Sequence, residues 1–216
     1  ALDAETGQPL WKYDHPLPDD MRVCCGPGNR GVAIASDKVF MGTLDARLVA
    51  FDRLTGAVVW NVKVDEYQHG YSVTAAPLVV HDKVIVGIAG GEYGIRGYID
   101  AYAVQTGKRL WRRYTTPSVG EPGADTWAGD SWKNGGGPTW VTGSYDPEQN
   151  VLFWATGNPA PDWNGDVRAG DNLYTDSVLA LNPDTGAIKW HFQFTPHDIW
   201  DFDGNTDLFL VDVERS

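Results

Sequence analysis

An eleven-residue motif, A-x-x-x-x-T-G-x-x-x-W, recurs four times along the 216-residue chain. It reads ALDAETGQPLW at 1–11, AFDRLTGAVVW at 50–60, AYAVQTGKRLW at 101–111 and ALNPDTGAIKW at 180–190. The closing tryptophans, Trp11, Trp60, Trp111 and Trp190, are 49, 51 and 79 residues apart. Repetition near a fifty-residue period excludes most folds, because each unit must complete its core against its neighbours. Thr-Gly supplies the positive-φ residue of a tight turn between strands, and the Trp after it is placed to pack on the next unit. Short apolar or alternating runs at 38–43, 73–80, 83–89, 151–156 and 177–181 read as the remaining strands. Four-stranded units at this period predict an all-β fold, a β-propeller with tryptophan-docking repeats. Gly- and Pro-rich insertions at 117–138 and 159–171 account for the long last interval. The chain opens inside one motif and stops on 208–213, which reads as a strand without its partner. Residues 1–216 are therefore expected to form a single, incomplete propeller domain.

Composition narrows the function. The 25 glycines and 13 prolines fit a turn-rich chain, and 216 residues suffice for one sizeable core. No apolar run is long enough to cross a membrane as a helix. A formal net charge of −12 leaves no basic patch for phosphates, so nucleic acid is not expected as a partner. The two cysteines, Cys24 and Cys25, are adjacent, which excludes zinc-finger spacing and ordinary cross-linking. Two buried thiols or a disulfide between neighbours remain, and spacing alone favours the thiols.

Candidate chemistry lies in the loops. Residues 194–207, F-T-P-H-D-I-W-D-F-D-G-N-T-D, hold four carboxylates: Asp198, Asp201, Asp203 and Asp207. So many anions so close repel one another unless solvent or a cation neutralises them; a surface turn is the plain alternative. Glu92 follows an apolar run in A-G-G-E-Y-G, where Gly90 and Gly91 let backbone approach a ligand. A solvated turn is its plain reading. Asn158, in A-T-G-N-P-A-P, also follows an apolar run and offers a hard, neutral oxygen suited to Ca²⁺ or a related ion. Arg30, in C-C-G-P-G-N-R, is either a surface charge or a clamp for a planar carboxylate or quinone. Trp140, in G-G-G-P-T-W, is either a core indole or a flat stacking face.

The segments C-C-x-x-x-N-R, G-E-Y-G-x-R-G, T-G-N-P-A-P and W-D-F-D-G, in that order, resemble the quinoprotein alcohol dehydrogenases. These are the methanol and ethanol dehydrogenases that use pyrroloquinoline quinone (PQQ), and the resemblance spans essentially the whole chain. It implies an eight-bladed propeller, of which this chain is roughly half. It further implies a vicinal disulfide between Cys24 and Cys25 against one face of PQQ, and Trp140 as the floor on the other. Arg30 and Thr74 would bond the cofactor's oxygens and carboxylates, beside the backbone of Gly90 and Gly91. Glu92, Asn158, Asp201 and Asp203 would hold the metal, with Asp201 as catalytic base. An Asp at position 203 resembles the lanthanide-using members more than the calcium-using ones, and a trivalent ion offsets Asp201–Asp203 repulsion more fully. Expectations are thus PQQ, a lanthanide ion ahead of Ca²⁺, a small alcohol substrate, a c-type cytochrome acceptor and a periplasmic location. The resemblance leaves room for a homodimer of the full-length form. Ala89 and Pro138 depart from the methanol-dehydrogenase pattern, which has Ser and Thr there, and point to the broader alcohol-oxidising branch.

Two rival readings compete. A non-catalytic propeller scaffold of the outer-membrane-assembly type would share the tryptophan repeats but would not gather ligand residues after its strands. A calcium loop is suggested by Asp201, Asp203, Asn205, Asp207 and Asp212 at loop positions 1, 3, 5, 7 and 12, but Thr206 stands where Gly is needed. D-W-N-G-D at 162–166 reads as a turn.

Overall fold

A computed structural model describes residues 1–213. It contains twelve strands in three four-stranded sheets, each an antiparallel meander. The first sheet is β1 (Val32–Ala35), β2 (Lys38–Gly42), β3 (Arg47–Asp52) and β4 (Val58–Lys63). The second is β5 (Leu78–Val80), β6 (Lys83–Gly87), β7 (Tyr98–Ala103) and β8 (Arg109–Tyr114). The third is β9 (Ser144–Asp146), β10 (Val151–Ala155), β11 (Ser177–Leu181) and β12 (Ile188–Gln193). Four motif turns are thus present, three of them in complete sheets. Among the described residues, no helix is long and apolar enough to cross a membrane.

The motif's spacing is the register of one hairpin. Its Ala and Trp face each other across strands three and four, as Ala50↔Trp60, Ala101↔Trp111 and Ala180↔Trp190. Each Ala is fully buried, and a register shift follows it in all three sheets. In the first sheet, Asp52 Oδ1 accepts from Leu54 N, Thr55 N and the Thr55 hydroxyl. Asp3 repeats this pattern, and Asn182 accepts from Asp184 N and Thr185 N. Such side-chain-to-backbone bonds close a turn locally.

The expected docking between units is present. Trp11, Trp60 and Trp111 donate from Nε1 to Arg53, Val104 and Pro183 carbonyls of the next motif, each at 3.0 Å. Each indole lies flat on that motif's glycine. A Cβ at Gly56, Gly107 or Gly186 would come within 2.6 to 2.9 Å of the ring, so these positions need glycine for space as well as for positive φ. Trp190 is half-exposed.

The core lies between sheets, so inner strands are buried on both faces and read as continuous apolar runs. On β6, Val84 and Val86 join Phe40, Leu48 and Tyr98 between the first two sheets. Ile85, between them in sequence, joins Ile99, Leu152, Trp154 and Leu179 between the second and third. Arg112 fastens the first interface, bonding Asp100 and Asp65 while its guanidinium stacks 3.4 Å from the Tyr98 ring centroid.

Two expected strands are shorter or absent. Of residues 73–80 only Leu78–Val80 is strand, because Pro77 lacks the N–H a ladder needs. Residues 208–213 form no strand; among the described residues no second strand lies beside them to satisfy their backbone.

Candidate active site

In a meander, the connections from strand two to strand three and from strand four to the next sheet emerge at the same end. The Thr-Gly turns lie at the other. All the candidate residues sit at the first end. Cys24, Cys25 and Arg30 precede β1, Thr74 joins β4 to β5, and Trp140 joins β8 to β9. Glu92 lies between β6 and β7, Asn158 between β10 and β11, and Asp201 and Asp203 follow β12.

Backbone contacts stitch these loops together. Ser72 and Ala89 exchange hydrogen bonds, at 3.2 and 2.8 Å, tying the Thr74 segment to the Glu92 loop. Gly137 N donates to Asn158 O at 2.9 Å, and Gly157 N to Pro138 O at 2.7 Å. Thr139 N donates to Ile88 O at 2.8 Å, and its hydroxyl accepts from Ile88 N and donates to Tyr98 O. Gly90 has φ of 120°, and a Cβ there would meet the Gly70 carbonyl at 2.1 Å, so only glycine permits this crossing. Glu92 rides the single turn Gly91–Tyr93 that follows.

The loop after β12 is shaped by its own carboxylates. Asp198 is fully buried, and its two oxygens accept from Trp200 N at 2.9 Å and Phe202 N at 2.8 Å. Asp201 and Asp203 both take left-handed backbone, φ 62° and 57°, which Asp tolerates at a cost on the order of 1 kcal/mol. Asp198 is therefore the brace and the other two are presented. Asn205 is buried; with its amide oriented to suit its neighbours, it accepts from Trp140 N and Nε1 and donates to Ala155 O. A calcium loop through Asn205 is ruled out by these bonds, since its oxygen already holds the indole.

A cavity of about 250 Å³ opens among these loops. Its wall includes Cys24, Cys25, Arg30, Thr74, Gly90, Glu92, Trp140 and Asp203. Gly91, packed under Pro138, is not in this wall, nor are Asn158 and Asp201. The cysteines are exposed and joined by a disulfide, so the thiol reading from spacing is corrected. Their sulfurs and a Glu92 oxygen lie within 4.8 Å of one another, but a disulfide offers no thiolate to a metal. Arg30 N donates to Thr74 O at 2.9 Å, and its guanidinium stands 4.7 Å from the Trp140 ring centroid. A larger cavity of about 620 Å³, between the first motif and β1–β3, is lined almost wholly by apolar side chains.

Asn158 and Asp201 join the acidic cluster beside the cavity. Asp203 is pushed up to about 6, first by burial and then by the charge of Asp201, with Glu92 adding to it. Asp162 donates nothing but accepts from Asn158 Nδ2 at 2.7 Å. It too is pushed up to about 6, by burial, then Asp201, then Glu92. Burial and Asp198 raise Asp201. Glu92, Asp162, Asp201 and Asp203 are thus near enough to act on one another's charge, although among the described residues no three of these carboxylates lie within 4.8 Å of one another, and none has a Lys or Arg ion-pair partner. Asp162 and Asp198 escape sequence reasoning because D-W-N-G-D looks like a turn and four spaced acids look equivalent. Asp207 is exposed.

Two buried polar atoms in the cavity wall, Thr74 Oγ1 and Asp203 Oδ1, have no hydrogen-bond partner. Buried polar atoms are ordinarily paired, so these orphans fit a bound group. The wall combines a cationic Arg, an orphaned hydroxyl, an indole and a disulfide, which suits a flat polyanion. Glu92, Asp201, Asp203 and Asn158 offer only oxygen donors, the type a hard cation takes.

Residues 1–216 match the family model described as PQQ, glucose/ethanol/alcohol dehydrogenase, beta-propeller domain. The chain is 53% identical to quinoprotein alcohol dehydrogenase PedH of Pseudomonas putida, covering 96% of this chain and 38% of PedH. It is 42% identical to the lanthanide-dependent methanol dehydrogenase of Methylorubrum extorquens, covering 98% of this chain and 39% of that protein. The crystal structure of quinohemoprotein alcohol dehydrogenase from Comamonas testosteroni superposes with a TM-score of 0.89 at 40% identity, covering 99% of this chain and 34% of that one. The chain therefore spans under two-fifths of the length of each of these relatives. Matched along its whole length and in its blade geometry, this chain belongs to the PQQ-dependent glucose/ethanol/alcohol dehydrogenase family, within its β-propeller domain.

Proposed function

We propose that residues 1–216 are one incomplete propeller domain of a quinoprotein that oxidises primary alcohols to aldehydes. The observation that carries the reading is the pair of orphaned atoms, Thr74 Oγ1 and Asp203 Oδ1, in a cavity walled by the disulfide and Trp140. In this reading, Cys24–Cys25 and Trp140 are the two faces that hold PQQ flat. Arg30 and Thr74 bind its oxygens and carboxylates, while Gly90 and Gly91 keep the backbone close. Glu92, Asn158, Asp201 and Asp203 hold the metal. When bound, PQQ supplies the two-electron acceptor and the metal a Lewis acid. Asp201, exposed on its left-handed turn, takes the alcohol's hydroxyl proton as the carbinol hydrogen leaves as hydride.

A lanthanide is favoured over Ca²⁺, because several unpaired carboxylates gain more from a trivalent ion. The lanthanide-dependent relative supports this choice. A c-type cytochrome acceptor, a periplasmic location and a homodimer complete the proposal, the first supported by quinohemoprotein relatives. A scaffold reading has no use for ligand residues gathered at one end. The test is Asp201→Asn in the full-length protein. Turnover should fall about a thousand-fold while PQQ absorbance is retained; wild-type turnover would remove Asp201 from the base's role.

A further inference from the structure

Asp162 lies in the insertion after β10 and has no part in the ligand set above. Its Oδ1 accepts from Asn158 Nδ2 at 2.7 Å. An ionised carboxylate only accepts, so this bond settles the amide's orientation: nitrogen towards Asp162, oxygen away from it. Asn158 is only 4% exposed, yet among the described residues no donor engages its Oδ1. A nearly buried amide oxygen held in this way is presented as a neutral hard ligand.

The support behind Asp162 is rigid. Arg168 is fully buried and donates to the carbonyls of Pro161 and Asp162, each at 3.1 Å, and to Asn172 Oδ1 at 2.8 Å. It also donates to the Asp198 carbonyl, at the root of the loop that presents Asp201. One guanidinium thus anchors both the Asp162 backbone and the Asp201 loop, and in doing so it spends its donors on uncharged oxygens. The Asp162 carboxylate is left without an ion pair among the described residues, with the Arg168 charge acting on it only from a distance.

We propose that Asp162 is a positioning residue of the metal site: it turns Asn158 Oδ1 towards the ion and adds a fourth carboxylate charge beside Glu92, Asp201 and Asp203, favouring trivalent over divalent ions. This rests on the function proposed above. By Coulomb's law an added unit negative charge stabilises a trivalent ion half again as much as a divalent one at the same distance. Removing an outer partner of a metal ligand typically weakens affinity about 10- to 100-fold.

The experiment uses metal-free full-length protein, with Tb³⁺ binding followed by tryptophan-sensitised luminescence and Ca²⁺ by competition; no turnover is needed. Asp162→Asn keeps an acceptor for Asn158 but loses the charge, so Tb³⁺ affinity should fall about ten-fold and Ca²⁺ affinity less. Asp162→Ala loses both and should approach a hundred-fold loss for Tb³⁺. Glu92→Gln is the control for the site itself. Asp162 variants that bind Tb³⁺ as wild type, while Glu92→Gln does not, overturn the inference and leave the site standing. If Glu92→Gln also binds as wild type, the site reading fails and takes this inference with it. A lowered melting temperature in the metal-free variants with an unchanged Tb³⁺:Ca²⁺ ratio makes Asp162 a loop brace only, and also overturns it. Should Asp162→Ala not fold, Asp162→Asn carries the test.

Discussion

At the turn end of the blades, Trp11, Trp60 and Trp111 meet the next unit through the same hydrogen bond and the same glycine contact. At the opposite end no two blades present the same side chains. The lengths show the contrast. Connections from strand three to strand four take five, five and six residues. Those from strand two to strand three take four, ten and twenty-one. The added residues in the second and third blades carry Glu92, Asn158 and Asp162. One end repeats because its task, joining neighbours, is identical each time. The other diverges, and in the proposed site each blade contributes a different side chain. The repeated end also pairs its polar groups locally, whereas the divergent end leaves Thr74 Oγ1, Asp176 Oδ2 and Asp203 Oδ1 without partners. Such atoms lower the stability of the protein alone and raise its affinity for a group that satisfies them.

If the ends divide the labour this way, mutations should separate cleanly. The largest effect on stability is expected at the turn end. Trp60→Ala removes an indole packed on Phe40 and Gly107, and should cost about 3 kcal/mol in urea unfolding of the full-length protein, with the Tb³⁺:Ca²⁺ affinity ratio unmoved. A changed ratio would mean that the ends are coupled. At the other end, Asp203→Ala should shift metal preference towards Ca²⁺ by about ten-fold in relative affinity, with little loss of stability; unchanged lanthanide activation would contradict it.

The smallest effect concerns Asp176, which is fully buried behind the Asp203 loop and accepts from Gly204 N at 3.0 Å. Burial pushes its pKa up to about 7, with Asp198 and Asp203 adding to it. A carboxyl raised in the folded state is bound to its proton there while the unfolded chain has lost its own. The stability it contributes is thus present below about pH 4 and lost as pH rises through about 7. Asp176→Asn keeps an acceptor for Gly204 and removes the buried charge. In metal-free protein it should raise stability at pH 8 by on the order of 1–2 kcal/mol and change little at pH 4. Equal stabilisation at both pH values would show that folding does not raise the Asp176 pKa.

Much of the blade architecture was legible before any coordinates. The Ala-to-Trp spacing encodes a hairpin register, and Thr-Gly encodes its turn, because both depend on residues close in sequence. Gly90, Glu92 and Asn158 were legible as loop residues after apolar runs. Cys24 and Cys25 were not, since adjacency permits two oxidation states and spacing favoured the wrong one. The carboxylates of the 194–207 stretch were legible as a group but not as individuals: Asp198 accepts two backbone N–H groups inside the fold, Asp201 is exposed, and Asp203 holds a buried, unpartnered oxygen in the cavity wall.

Local order, then, was written in the chain itself: where strands turn, which small residue lies under which indole, and that the strands gather into blades. Convergence was decided only in three dimensions. Asn158, Asp162 and Arg168 share the β10–β11 connection, but Asp201 and Glu92 act on Asp162, and Asp198 meets Arg168, from other segments, and no pattern along the backbone measures the distance between loops of different blades. Electrostatic and coordinating interactions depend on that distance and on burial, and both are set by how the sheets pack.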